Sequence, residues 1–187
     1  MYNSISNHLM QIYGCKVYKL ALSSGCTCPN RDGTIGVGGC IFCADTGSGD
    51  FAQSATLPIK EQIQLAKEKV SSKNKGGKYI AYFQSFTNTY GSVEFLEPKF
   101  LEAMEDDEVV AVSIATRPDC LQEEILDMLS RLNTIKPVWV ELGLQTIHPK
   151  TAEYIRRGYP LEVYDKAVKD LHAIGVEVIT HVIIGLP

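Results

Sequence analysis

The sequence predicts an α/β fold, a partial parallel (β/α) barrel of about five β/α units forming one domain over residues 1–187. Two observations predict it. Apolar, β-prone runs open near residues 79, 109, 138 and 176, so a strand recurs about every thirty residues. Between them, apolar residues fall at helical spacing and two of the stretches end on glycine. Parallel strands need crossovers of that length, and right-handed crossovers build a barrel or a doubly wound sheet.

The elements follow in order. Residues 17–23 (VYKLALS) alternate and form a first strand. A Gly-rich loop runs from Ser24 to about Thr56. Ile59, Ile63, Ala66 and Val70 then mark a helix, which Gly76-Gly77 stops. Residues 79–83 (YIAYF) give the second strand and 95–104 a short helix. Residues 109–115 (VVAVSIA) read as a strand buried on both faces. Leu121, Ile125, Leu129 and Leu132 line the next helix, and 138–144 (VWVELGL) is the fourth strand. Val163, Ala167, Leu171 and Ile174 mark a helix before Gly175, and 176–184 (VEVITHVII) is the fifth strand. An apolar strand buried on both faces should be followed by a covering helix, yet the chain reaches Pro187 directly. The expectation is a chain truncated at its C-terminus, with Val182 and Ile184 in need of cover.

Composition bounds the function. With 45% hydrophobic and 21% charged residues, this is neither a disordered tail nor a fibre. A net charge of −4 gives no general basic field for nucleic acid. No stretch approaches roughly 18 unbroken apolar residues, and the first ten residues lack the pattern of a signal peptide. No membrane partner is expected, and the location is expected to be cytoplasmic.

In a reducing compartment the six cysteines become informative. Cys26, Cys28, Cys40 and Cys43 crowd into the loop after the first strand, while Cys15 and Cys120 stand apart as structural thiols. A C-x2-C pair brings two thiolates to one centre, and the surrounding glycines let the backbone wrap it closely. Zinc would take all four thiolates in a closed site and staple a βα binding module without catalysis. An iron–sulfur cluster could take three, leaving one iron open. Spacing does not choose between Cys26 and Cys28, which face the same way in an extended segment. The loop's position at the carboxyl end of a barrel-like strand, where such folds place chemistry, favours iron–sulfur.

The motifs around these cysteines resemble the radical S-adenosylmethionine (SAM) enzymes, and more closely their bacterial subgroup related to the elongator catalytic subunit. The resemblance covers essentially the whole chain. It rests on CPNRDGTIGVGGCIFC at 28–43, YFQSFTNTY at 82–90, ATRPDC at 115–120, ELGLQT at 141–146, RRGY at 156–159 and HVIIGLP at 181–187. It implies a partial barrel of the radical SAM type and an iron–sulfur oxidoreductase or transferase. Cys28, Cys40 and Cys43 would ligate a [4Fe–4S] cluster, with a C-x11-C-x2-C spacing unlike the compact C-x3-C-x2-C of most members. SAM would chelate the open iron, and one electron from a reductant protein would cleave it to a 5′-deoxyadenosyl radical that abstracts hydrogen.

Other positions carry over singly. Phe42 would pack the adenine. Gln84 and Ser85 stand where the family's Gly-Gly-Glu segment meets the SAM amino group, although the glycines are missing here. Gln145 is polar at the mouth end of the fourth strand, as in coproporphyrinogen-oxidase-like members. Arg157 resembles the arginine that pairs with the SAM carboxylate, with Arg156 its neighbouring substitute. His181 replaces an acidic residue that faces the ribose. Ala115 stands where elongator-like relatives carry a Glu before Thr-Arg-Pro-Asp. Analogy with those relatives suggests a tRNA wobble uridine as substrate.

Overall fold

The computed structural model describes residues 2–47, 50–74 and 76–187. Five strands form one sheet in the order β1-β2-β3-β4-β5, every neighbouring pair parallel. They are β1 (Val17–Leu22), β2 (Lys78–Phe83), β3 (Val109–Thr116), β4 (Val138–Gln145) and β5 (Glu177–Val182). The helices are α1 (Ile5–Tyr13), α2 (Ile59–Val70), α3 (Val93–Met104), α4 (Glu123–Asn133), α5 (Pro149–Tyr154) and α6 (Leu161–Ala173). Each strand lies within a few residues of its expected position.

Side chains alternate across the strands, so the sheet has two chemically different faces. Leu20, Leu22, Ala81, Phe83, Val112, Ile114, Val140 and Leu142 point to the outer face. There α2, α3, α4 and α6 bury Ile63, Phe100, Leu129 and Leu171 in one continuous core. Phe83 and Phe100 meet edge to face with ring centroids 4.9 Å apart. Sequential strand order with all four of these helices in one core is the arrangement of a barrel wall; a doubly wound sheet would carry helices on both faces.

The inner face begins with a small apolar cluster of Ile80, Ala111 and Trp139, covered by Leu9 of α1. The sequence reading assigned no element to this helix, although Ser4 caps its start, accepting from the Asn7 N–H, and Gly14 ends it at φ +67°. Beyond the cluster the inner face turns polar. Lys19 of β1 and Ser113 of β3 both hydrogen-bond Oε1 of Glu141 on β4, and His181 Nε2 of β5 lies 2.7 Å from Oε2. The Lys19 ammonium also sits over the Tyr82 ring, 4.2 Å from its centroid. Glu141 is 2% exposed. Burial by itself pushes its carboxyl up, but the hydrogen bonds from His181, Lys19 and Ser113 and the Lys19 charge outweigh it and hold the group at about 2.

As expected, β5 forms an edge of the sheet, and among the described residues Val182 is 58% and Ile184 95% exposed. Apolar composition marks a strand but does not tell an edge from an interior position.

Two measurements check this account. Phe100→Ala should lower the unfolding free energy by about 3–5 kcal/mol in a denaturant titration, while the same change at the half-exposed Leu101 costs under about 1 kcal/mol. A loss at Phe100 as small as that at Leu101 would contradict the packing described. The second concerns acid. Because the folded-state pKa of Glu141 lies below its ordinary 4.5, its contribution is full above that value and is lost as pH falls toward about 2. The stability gap between the protein and Glu141→Gln should therefore close over that window. A gap that stays constant there would show that Glu141 carries no such charge.

Candidate active site

All five strands run the same way, so their carboxyl ends share one rim, and the loop of residues 23–58 leaves from β1 at that rim. Two buried amides hold it there. Gln62 of α2 accepts from the Ser23 N–H at 2.8 Å and donates to the Ser23 and Leu57 carbonyls. Asn88 donates to the Phe83 and Ala115 carbonyls at the ends of β2 and β3 and accepts from the Ser24 hydroxyl at 2.6 Å. Farther along, the loop is tied back by the Ile41 N–H to the Ile155 carbonyl and by Asn30 Nδ2 to the Arg156 carbonyl, 2.7 Å away. Between loop and rim lies a cavity of about 540 Å³.

Cys28, Cys40 and Cys43 all line this cavity. Cys26 does not. It is buried in the outer-face core beside Gly91, and burial pushes its thiol up. Cys28 opens a tight turn, its carbonyl accepting from the Arg31 N–H at 2.8 Å, and the two thiols that spacing alone left equivalent differ in their surroundings, core for Cys26 and cavity for Cys28. The neighbouring Cys43 side chain and burial push the Cys40 thiol up. Asn30 Nδ2 donates to Cys40 Sγ at 3.4 Å, and the nearby Arg117 charge favours its thiolate.

All six cysteines are thiols, and among the described residues no three His, Cys, Asp or Glu side chains close on a single ion. Three soft sulfur donors set around a shared cavity fit a group larger than one ion, such as an iron–sulfur cluster. A closed four-thiolate zinc site would need Cys26 to leave the core.

Phe42, Gln84, Gln145 and His181 also line the cavity. Ser85 is buried and lies outside that lining. Gln145 holds φ +62° where the pairing of β4 with β5 shifts register, and among the described residues Phe86 and Arg156 are the other non-glycine residues at positive φ. Gly47, at φ +65°, lies so near Phe86 that a Cβ there would be 2.5 Å from the ring. Backbone held in this sparsely populated region clusters at binding sites.

Arg157 lines the cavity as expected, but its guanidinium is largely engaged by the protein itself. Nε and Nη2 donate to the Tyr159 carbonyl, and Nη1 to the carbonyls of Leu144 and Thr146 at 2.8 and 2.6 Å. An arginine 3% exposed must satisfy its donors internally. Its neighbour Arg156 is exposed. Sequence reasoning passed over Arg117 and Tyr159. Arg117 grips both oxygens of Asp119 at 2.9 and 2.7 Å and donates to the Arg157 carbonyl. Both guanidiniums lie over the Tyr159 ring, with the centroid 4.9 Å from Arg117 Cζ and 4.8 Å from Arg157 Cζ. These buried cations give the thiol-lined side of the cavity a positive field.

Comparison with known proteins places this geometry. The model of the Radical SAM superfamily matches residues 25–187. Uncharacterized protein YtqA of Bacillus subtilis (strain 168) is 48% identical over 186 residues, an alignment covering 100% of this chain and 58% of YtqA. The chain therefore spans less than two thirds of that relative. The tRNA uridine(34) acetyltransferase of Methanocaldococcus jannaschii is 36% identical over 78 residues, 42% of this chain and 14% of that protein. Among solved structures, the archaeal Methanocaldococcus infernus Elp3 with an N-terminal deletion superposes with a TM-score of 0.61 at 19% identity. That superposition covers 91% of this chain and 38% of the Elp3 chain, and shows a shared fold. With its family model spanning the cysteine loop and all of β2 to β5, the chain belongs to the radical SAM superfamily.

Proposed function

We propose that this chain carries the catalytic core of a radical SAM enzyme, with Cys28, Cys40 and Cys43 as the ligands of a [4Fe–4S] cluster. The observation that carries the reading is the sorting of the loop cysteines, three on the cavity and Cys26 in the core. When bound, the cluster and SAM supply the reducing electron and the hydrogen-abstracting radical. The protein's own residues bind and orient. Asn30 donates to the Cys40 sulfur, and such hydrogen bonds tune a thiolate ligand. Arg117 and the Arg157 it supports offset the negative charge that three thiolates bring. Phe42 offers an aromatic face for an adenine, and Gln84, Gln145 and His181 offer hydrogen-bonding groups to the polar parts of SAM. The zinc-stapled binding module draws no support from this arrangement, since its fourth thiolate is absent from the cavity. The electron donor is proposed to be a separate one-electron reductant protein.

For the substrate we infer a tRNA wobble uridine, on the likeness to the tRNA uridine(34) acetyltransferase. The whole protein's reaction would draw on segments of the longer relatives that lie beyond this match.

The test is iron binding followed by turnover. After anaerobic reconstitution, Cys28→Ala, Cys40→Ala and Cys43→Ala should each lose most of the iron and the visible absorption of the cluster, while Cys26→Ala keeps both. Loss of the cluster from Cys26→Ala with retention in Cys28→Ala would reverse the ligand assignment. Reconstituted protein should release 5′-deoxyadenosine under reductant, faster with tRNA lacking the wobble modification. A rate indifferent to tRNA would remove that substrate from the proposal and leave the cofactor chemistry in place.

A further inference from the structure

The polar floor of the cavity holds a group that the foregoing reading does not use. An ionised carboxylate offers about four lone-pair positions and no donor. On Glu141, Lys19 and Ser113 take Oε1 and His181 Nε2 takes Oε2. Every partner must therefore donate, and His181 can do so only through an Nε2–H. In a neutral imidazole the other nitrogen is then a bare acceptor. The His181 side chain is 42% exposed and lines the cavity, and among the described residues Nδ1 has no hydrogen-bond partner. Lys19 balances the carboxylate charge, so the arrangement orients the ring without placing a net charge beneath the ligand.

We propose that Glu141 is a positioning residue that locks His181 in the Nε2–H tautomer, so that Nδ1 accepts a hydrogen bond from a hydroxyl or amine of the molecule bound in the cavity. The tautomer follows from the side chains alone. Only the choice of SAM as probe ligand rests on the function proposed above.

Glu141→Gln tests it because the replacement is nearly isosteric and reverses the instruction. Lys19 and Ser113 would hold the amide oxygen, turning the amide NH2 toward His181 and forcing Nε2 to accept. The proton should then move to Nδ1. Nitrogen-15 NMR of the metal-free protein, recorded across a pH series, reads the tautomer directly, with His181→Asn assigning its signals among four histidines. The expected result is Nε2–H in the unaltered protein and Nδ1–H in Glu141→Gln. In reconstituted protein, SAM should bind Glu141→Gln about tenfold more weakly, as for one lost hydrogen bond, with iron content unchanged. If Glu141→Gln does not fold, the tautomer measured in the unaltered protein decides alone, Nδ1–H overturning the proposal.

Nδ1–H in the unaltered protein, or retention of Nε2–H in the variant, would overturn the proposal. A switched tautomer with unchanged SAM affinity would overturn its ligand-facing half. Failure of the cysteine variants to lose iron would count against the cluster reading only, because the tautomer measurement uses neither iron nor SAM.

Discussion

Burying an ionised carboxylate costs several kcal/mol unless donors surround it, and Glu141 carries such a charge in the middle of the sheet. Its ion-pair partner, Lys19, stands on β1 while Glu141 stands on β4, three strands away in the sheet order. Strands lie about 4.8 Å apart, so in a flat sheet these two would be separated by about 14 Å. A lysine and a glutamate meet over that span only if the sheet curls and brings its inner face around on itself. The pair, Ser113 and His181 thus tie β1, β3, β4 and β5 into a concave wall. Helices accumulate on the convex side because the apolar faces of α2, α3, α4 and α6 cover the outer side chains there.

Curvature and parallel direction together create the site. A concave wall with all carboxyl ends on one rim leaves a cup, and the loop between β1 and α2 supplies its lid of thiols. That loop cannot build a core of its own, being rich in glycine and polar residues. It is held instead by amides such as Gln62, Asn88 and Asn30, each bonded to backbone at a strand or loop end. Left-handed backbone at Phe86, Gln145 and Arg156 aims the rim where an ordinary strand end would turn away. Each such residue costs about 1–3 kcal/mol, a reserve the surrounding bonds must supply.

The positive side of the cavity shows how a buried arginine changes role. Arg157 resembles a ligand-binding fork, yet burial requires partners for its donors, and the carbonyls of Leu144, Thr146 and Tyr159 provide them. Its effect on a bound anion is through its charge and through the shape it gives the rim. Arg117, also over the Tyr159 ring, adds a second charge near Cys28 and Cys40.

What the sequence determined by itself was local or periodic. Helical spacing at Ile59, Ile63 and Ala66, or at Ile125, Leu129 and Leu132, is set within a turn or two of chain. The thirty-residue recurrence of strands then limits the topology to a few choices. The crowding of cysteines into the loop after β1 was equally legible. The tertiary structure decided the rest. The six-residue helix α5 is too short to show a period, and α1 has readable caps but no signal for the face on which it docks. Cys26 and Cys28 were separated by which neighbours each met. Glu141 read as one polar residue in an apolar strand, because its partners come from 122, 28 and 40 residues away. Periodicity records which way a side chain points, whereas the partner that answers its charge is chosen by how distant strands are brought side by side.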